Sequence, residues 1–486
     1  MSENFIHELP LKIVPYEKRT LNIRFEMARL LYNAVLKEGF VRIDLLKQSK
    51  LYTKAKKLKK SKEKNNLFKK ARLEHKFSDY ALQKFAIETK NSCDIGEHLD
   101  THTCQKIATR VYNASNEYLL KKRGKPRFKK KGWISSVEGK SNKAGIRFRE
   151  SFILWKNLKL QIIFDKKDKY KVQAHSLSCK TKYVRLLKRK IKGKTRFFAQ
   201  LIQNGKPLIK KKNTTKKEIV GLDIGPSTIA CVSKEKAFLK AFCQKLKPLS
   251  KKIKLLQKKQ DRSLRTNNKN NYDLKKRIKK GKIILKKSKR YKKTQNIIFE
   301  SHRKLKESRK REHNKLANKI LSFGNIIKTE KLSYKSFQKR FGRSVNFRAP
   351  GMFLEILKSK AENAGGYLYE FSTIKTFLSQ TCICERRKKK KLSDRWHICK
   401  CGIKAQRDLY SAYLARYVND DMLNTDQAKK DWTGANLLLE QAVLRLAEAT
   451  QGRVVPSSFG LSQKSSLLVK DRSRLNKIKD VVGIKS

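Results

Sequence analysis

The sequence predicts a multidomain α/β protein, and three observations predict it. Apolar residues recur at helical spacing through most of the first 120 positions. Residues 145–205 then change to short alternating strands, the pattern of a small β-barrel. From Ile219 an apolar strand and turn, IVGLDIGPSTIA, opens a second region in which strands and helices alternate. A chain of 486 residues allows two to four domains and one sizeable core.

Charge narrows the partners before any motif does. Lys and Arg number 122 against 41 Asp and Glu, a formal net charge of +81. A free chain so charged repels itself, so a polyanion is the expected partner. The charge runs through the whole chain rather than through a tail, which suggests a long nucleic-acid channel rather than a membrane-surface patch. No segment reaches the apolar length of a transmembrane helix, and the N-terminus lacks a signal-peptide pattern. Nine cysteines without a secretion signal point to a reducing cytoplasm, where metal ligation is expected ahead of disulfides.

Taken in order, LPLKIVPY (9–16) reads as a short edge strand ending in a turn. The stretch from Glu17 then places Leu21, Phe25, Ala28, Leu31, Val35 and Leu36 on one helical face. Basic helices continue to about residue 120, broken near Gly96, and KKRGKPRFKKKG (121–132) is a basic loop with one aromatic, Phe128. GIRFRESFILW, KLQIIFD, KYKVQAHSL and RFFAQLIQN are expected as barrel strands, with LPLKIV completing the barrel from far upstream. KPLIKKKNTTKKE (206–218) is a lysine-rich linker. Residues 251–310 hold 25 Lys/Arg and 4 Asp/Glu, and 247–320 reads as a helical hairpin with one wet, cationic face. Its apolar stripe is expected from Leu255, Leu256, Ile278, Ile283, Ile284 and Leu285. Further on, DWTGANLLLEQAVLRLAEA offers an amphipathic helix through Leu438, Ala442, Leu446 and Ala449, and the Ser- and Lys-rich sequence from Gln451 reads as disordered.

Asp223 falls within the strand at 219–224, where a lone carboxylate is costly to bury unless paired or bound to a metal. On its own, Asp-x-Gly fits an exposed strand face, the phosphate turn of an actin-type ATPase, or an RNase H-class nuclease that holds magnesium. An ATPase needs further Gly-rich phosphate loops, and the 21 glycines form no such cluster beyond Gly365-Gly366. Two more acids follow: Glu330 ends the strand NIIKTEKLSY, and Asp408 sits in the first turn of QRDLYSAYLARYV, with Leu409, Ala412, Tyr413 and Tyr417 facing inward. An acid there is also a favourable helix-dipole contact. Together, mid-strand, strand-end and helix-start carboxylates would repel one another unless cations sat between them. Two Mg²⁺ ions roughly 4 Å apart could then activate a water and stabilise the leaving 3′ oxygen of a phosphodiester.

TCICERRKKKKLSDRWHICKCG holds Cys382, Cys384, Cys399 and Cys401, four thiols in two pairs across a basic loop, as in a tetrahedral zinc site. Each pair is separated by one residue rather than two, His397 could replace one thiol, and free loop cysteines are the alternative. Cys93, Cys104, Cys179, Cys231 and Cys243 are scattered and read as small core residues.

These stretches, in this order, resemble TnpB, the RNA-guided nuclease encoded by bacterial insertion sequences, and the related miniature type V CRISPR effectors. The resemblance lies in LKIVPYEKRTLNIRFEMARLLYNAVL, GKPRFKKK, GLDIGPSTIACVS, IIKTEKLSY, FRAPGMFLEILKSKAENAGG, SQTCIC and KCGIKAQRDLYSAYLARY, and spans roughly residues 9–417. It implies an RNase H-like RuvC domain with a zinc-finger insertion, a helical recognition domain and a β-barrel wedge domain. The implied domains are a first wedge strand at 1–16, helical recognition at 17–130, wedge barrel at 131–215 and RuvC at 216–380 with the basic hairpin 247–320. A zinc finger at 381–402, the final RuvC helix at 403–420 and a C-terminal tail at 421–486 follow. Asp223, Glu330 and Asp408 would be the Mg²⁺-binding catalytic acids, and Cys382, Cys384, Cys399 and Cys401 the zinc ligands. The implied activity is guide-RNA-directed cutting of double-stranded target DNA beside a short flanking motif, in a bacterial cytoplasm. A CRISPR effector using a CRISPR RNA is the alternative within the class. A cleavage-inactive RNA-guided repressor is the alternative from another class, and the presence of all three acids argues against it.

Overall fold

The structure is a computed structural model and describes residues 4–210, 213, 215–273, 277–279, 281, 284–391, 393–450 and 459–461. The chain divides into two compact units, Met1–Leu208 and Ile209–Ser486.

The first unit opens with strand β1 (Asn4–Lys12) and the 34-residue helix α1 (Pro15–Gln48). Pro15 stands in the first turn of that helix, and Glu17 reaches back to accept from the Val14 amide at 2.9 Å, so the chain turns sharply from strand into helix. Five helices follow: α2 (Lys50–Lys57), α3 (Lys62–Glu74), α4 (Asp79–Asn91), the single turn α5 (Ile95–His98) and α6 (Thr101–Leu119). Leu21, Phe25, Ala28, Leu31, Val35 and Leu36 are all buried, as the helical period requires. Then come β2 (Ser136–Glu138), β3 (Arg147–Arg149), β4 (Phe152–Trp155), β5 (Leu158–Ile162), α7 (Val172–Ser178), β6 (Thr181–Ile191) and β7 (Lys194–Asn204). One core joins helices and sheet. Asp100 caps α6 through the Thr103 amide at 2.9 Å and accepts from Trp155 Nε1 at 2.8 Å, while buried Arg24 donates to the Trp155 carbonyl at 2.6 Å.

Three strand expectations change here. LPLKIV is not an edge: β1 lies between β7 and β5 in a seven-stranded antiparallel sheet of order β2-β6-β7-β1-β5-β4-β3. KYKVQAHSL is not a strand but contains α7, because Asp168 Oδ2 accepts from the Ala174 amide at 2.8 Å and Lys171 takes a left-handed turn at φ 53°. The sheet instead recruits TKYVRLLKRKI as β6, whose Val184 and Leu186 face the core while the intervening long basic side chains mask the alternation.

The second unit begins with β8 (Ile219–Ile224), β9 (Thr228–Val232) and β10 (Ala237–Ala241), then the helical hairpin α8 (Lys247–Thr266) and α9 (Lys289–Leu321). Next are β11 (Ile326–Glu330), α10 (Tyr334–Arg348), α11 (Pro350–Asn363), β12 (Tyr367–Phe371) and α12 (Thr373–Thr376). The chain closes with β13 (Trp396–Ile398), β14 (Lys404–Gln406), α13 (Arg407–Ala415), β15 (Val418–Asn419), β16 (Met422–Leu423), α14 (Thr425–Lys430) and α15 (Trp432–Thr450). A five-stranded sheet of order β10-β9-β8-β11-β12 divides two cores. β8 to β10 run as an antiparallel meander, whereas β11 is parallel to both β8 and β12. One face packs on α13 and α15, the other on α9 and α11.

The basic hairpin forms, but of its expected apolar stripe Leu256 and Leu285 are only half-buried and the other described members are not covered. Leu255 and Ile284 are 67% and 89% exposed and Ile278 is exposed too, while Ile283 lies outside the described residues. Packing comes from Ile253, Ile298, Leu305, Leu316 and Ile320 instead. On α15 the buried stripe is Ala435, Leu439, Ala442 and Leu446, so Leu438 is only half-buried and Ala449 is exposed. Cys93 is exposed and Cys179 half-buried, unlike buried Cys104, Cys231 and Cys243. Most of the stretch from Gln451 lies outside the described residues, but Phe459 is buried and the Gly460 carbonyl accepts from Trp396 Nε1 at 3.1 Å. No helix among the described residues is long and apolar enough to cross a membrane.

Candidate active site and metal centre

Asp223 and Glu330 reach the same sheet face through strand register. Leu222 pairs with Thr329 across the parallel β8–β11 ladder, so the next residues, Asp223 and Glu330, stand side by side. Alternation turns both toward α13, on the face where Gly221 meets that helix. A Cβ at Gly221 would lie 1.8 Å from the Ala412 carbonyl oxygen, so glycine is what lets α13 lie flat on β8. That close approach sets Asp408, in the first turn of α13, over the ends of the two strands.

The carboxylates feel one another. Desolvation first, then the charges of Asp408 and Glu330, push the Asp223 carboxyl well above the usual range, while Arg407 acts against them. Desolvation pushes Glu330 up to about 7. Asp408 is buried, accepts from Thr228 Oγ1 at 3.4 Å, and pairs with Arg407 at 3.3 Å. Thr228 and Arg407 were not singled out from sequence. Their signal was adjacency alone, a hydroxyl in the turn after Asp223 and a cation beside Asp408. Lys328, also missed, lies buried on this face of β11 and donates to the Val418 carbonyl and Asn419 Oδ1, both at 2.8 Å. It ties the middle of the sheet to the chain leaving α13.

Three carboxylates from three elements, half-buried or buried, fit a hard cation that takes oxygen ligands. They do not close as tightly as the cysteines. Among the described residues, Cys382, Cys384, Cys399 and Cys401 are the group of His, Cys, Asp or Glu whose ligand atoms all lie within 4.8 Å of one another. Cys382 Sγ lies 3.6 Å from Cys401 Sγ, and Cys384 Sγ 3.5 Å from Cys399 Sγ. This all-sulfur set fits a tetrahedral zinc site despite the single-residue spacing: each pair sits in its own turn, Cys382–Glu385 and Cys399–Gly402, the second carried by the β13–β14 hairpin. Burial pushes the Cys382 thiol up to about 12, and the Cys401 backbone amide brings Cys399 down to about 7. His397 is not part of the set. Its ring is buried and stacks on Tyr410 with centroids 4.2 Å apart, and Lys390 contacts its Nδ1. Tyr410 in turn donates to Cys382 Sγ at 3.6 Å and accepts from the Ile383 amide at 3.0 Å.

No family model matches the chain, and no curated protein does. Among solved structures, it is similar to a cryo-EM structure of a Cas12f1–sgRNA–target DNA complex, at 13% identity and TM-score 0.43, over 87% of this chain and 100% of that one. It is also similar to a cryo-EM structure of a CRISPR–Cas12f ternary complex, at 14% identity and TM-score 0.30, over 85% of this chain and 86% of that one.

Proposed function

We propose that this chain is an RNA-guided DNA endonuclease encoded by a mobile element, with Asp223, Glu330 and Asp408 as its catalytic acids. The observation that carries the reading is the acid set itself. Strand register and a glycine-permitted helix contact support three carboxylates, far apart in sequence, at the C-terminal ends of two interior strands of a mixed sheet. The meander followed by two parallel strands supports an RNase H-like, RuvC-type domain. The +81 charge supports an RNA and DNA partner.

Mg²⁺ held by Asp223, Glu330 and Asp408 would supply a polarised water and offset charge on the scissile phosphate. Thr228 orients Asp408 through its hydroxyl, and Arg407 favours the ionised form of Asp223 that a cation requires. Zn²⁺ at Cys382, Cys384, Cys399 and Cys401 would be structural, since four thiols leave no open position. Tyr410 transmits that order to α13 and so to Asp408, two residues away.

Expression with the native flanking DNA tests the reading. One dominant RNA should co-purify and survive a high-salt wash, because folded RNA is held by shape and stacking as well as by phosphate. One end should be a variable segment that directs cutting of matching DNA. An RNA encoded beside the gene supports the mobile-element form, and one drawn from a CRISPR array supports a type V effector. A random mixture of cellular RNA, or cutting unchanged after complete RNA removal, would overturn the RNA-guided reading.

A further inference from the structure

The first unit carries a row of side chains that the proposed cleavage does not use. Glu138 on β2, Arg185 on β6, Gln200 on β7 and Glu8 on β1 stand directly opposite one another across four neighbouring strands. Arg185 donates through Nε to Glu138 Oε2 at 2.8 Å and through Nη1 to Gln200 Oε1 at 3.3 Å. Gln200 then donates through Nε2 to Glu8 Oε2 at 2.8 Å. The guanidinium is therefore gripped from two strands and its plane is set, yet among the described residues only two of its five N–H donors are used. Lys106 Nζ, from α6, lies 3.7 Å from Glu138 Oε1.

Between this row and α6 lies a cavity of about 380 Å³. Ile107 and Leu187 give it an apolar lining, and Lys106, Arg110 and Arg185 give it three cations against one acid, Glu138. Arg110 donates to Ser136 Oγ at 3.3 Å, and no carboxylate among the described residues pairs with it. Each feature points to the same ligand chemistry. The volume suits a single small molecule rather than a duplex. A planar base packs on aliphatic side chains, and excess cation at the rim suits a phosphate. A guanidinium held in plane presents parallel N–H groups that match the O6 and N7 acceptors of guanine.

We propose that this cavity binds one unpaired guanine nucleotide, with Arg185 reading O6 and N7 and Lys106 and Arg110 holding the phosphate. The proposal rests on the nucleic-acid reading above and deepens it, because it adds a base-selective subsite to a surface otherwise bound through charge. The nucleotide can belong to an RNA or a DNA strand.

Calorimetric titration of the full chain, freed of nucleic acid, with GMP, dGMP, AMP, CMP and UMP tests it. We expect one GMP site per chain, at least about tenfold tighter than for AMP, CMP or UMP, within the 1–3 kcal/mol range of a bidentate base contact. Tighter binding of GMP than dGMP assigns the site to RNA, and the reverse to DNA. Arg185→Lys keeps the charge but loses the planar fork, so guanine selectivity should collapse while the melting midpoint holds. Lys106→Ala should weaken all monophosphates alike and leave selectivity intact. Equal affinity for the four bases, or selectivity untouched by Arg185→Lys, overturns the proposal. A parallel titration with a 20-nucleotide RNA separates the two claims. RNA binding without a GMP site sinks only the subsite, whereas failure to bind either also sinks the nucleic-acid reading.

Discussion

Asp408 and Tyr410 stand two residues apart on α13, and each belongs to a different site. Around Asp408, three carboxylates converge from separate elements, and desolvation together with the other two charges raises the cost of ionising Asp223. Around Tyr410, four thiols gather within 4.8 Å from two separate turns, beside an aromatic stack. The acid set has its members fixed by a rigid sheet and stores repulsion. The cysteine set draws its second pair from the short β13–β14 hairpin and its first pair from a separate turn closed by the Glu385 amide on the Cys382 carbonyl at 2.8 Å. One helix thus carries a member of the acid set and a residue in contact with the cysteine set.

The largest effect should come from breaking the acid set. Asp223→Ala, Glu330→Ala and Asp408→Ala are each expected to slow Mg²⁺-dependent DNA cutting by about a thousandfold, a barrier increase of about 4 kcal/mol. For Asp223 and Glu330 the melting midpoint should hold or rise, because each change removes a carboxylate that burial makes costly to ionise. Full cleavage by Glu330→Ala would remove it from the active set.

The cysteine set should respond in the opposite sense. Elemental analysis is expected to find about one zinc per chain, lost in the double variant Cys399→Ser, Cys401→Ser. The midpoint should then fall by roughly 10 °C, and a chelator should reproduce the fall in the wild type. Zinc-free wild-type protein that melts at the same temperature would return these cysteines to ordinary loop thiols.

The helix that joins the sites can be displaced without touching either. Gly221→Ala drives a methyl into the Ala412 carbonyl, where backbone must move, at an expected cost of about 3 kcal/mol. Cleavage should drop along with stability, because Asp408 moves with α13. A Gly221→Ala protein of unchanged stability would show that α13 is free to slide.

The smallest effect concerns the opposite face of the sheet. His313 on α9 is buried, stacks on Phe242, donates from Nε2 to the Arg348 carbonyl at 2.9 Å, and is pushed down to about 4 by burial. It is neutral when folded and takes up a proton near pH 6.5 when unfolded, so the unfolded state binds more protons between those values. Stability is therefore full above pH 6.5 and declines as pH falls toward 4, by about 2 kcal/mol between pH 7 and 5. Urea titrations of the wild type and of His313→Gln should differ in this limb. A wild-type curve flat across it would show that His313 does not titrate on unfolding.

Local signals were readable wherever one element decided the outcome. The face of α1 from Leu21 to Leu36, the strands bearing Asp223 and Glu330, and the inward residues of α13 all follow from period and side-chain type. Signals failed where a neighbour decided. The strand β6 hides under alternating Lys and Arg, α7 depends on a cap from Asp168, and Ile284 is apolar yet 89% exposed. His397 had the chemistry of a ligand, but Tyr410 and Lys390 claim its ring.

By itself the sequence determined the charge, the helical and strand periods, and which side chains could bind cations. These depend on composition and on covalent geometry that repeats every two or 3.6 residues. Only the tertiary structure decided that Asp223 and Glu330 share a face, that Arg407 and Thr228 stand beside Asp408, and that Arg185 is held flat between two strands. Each of those facts is a register or a packing distance between segments far apart in the chain. Such distances are set by what fills the space between the segments, as Gly221 does under Ala412, and no local period encodes them.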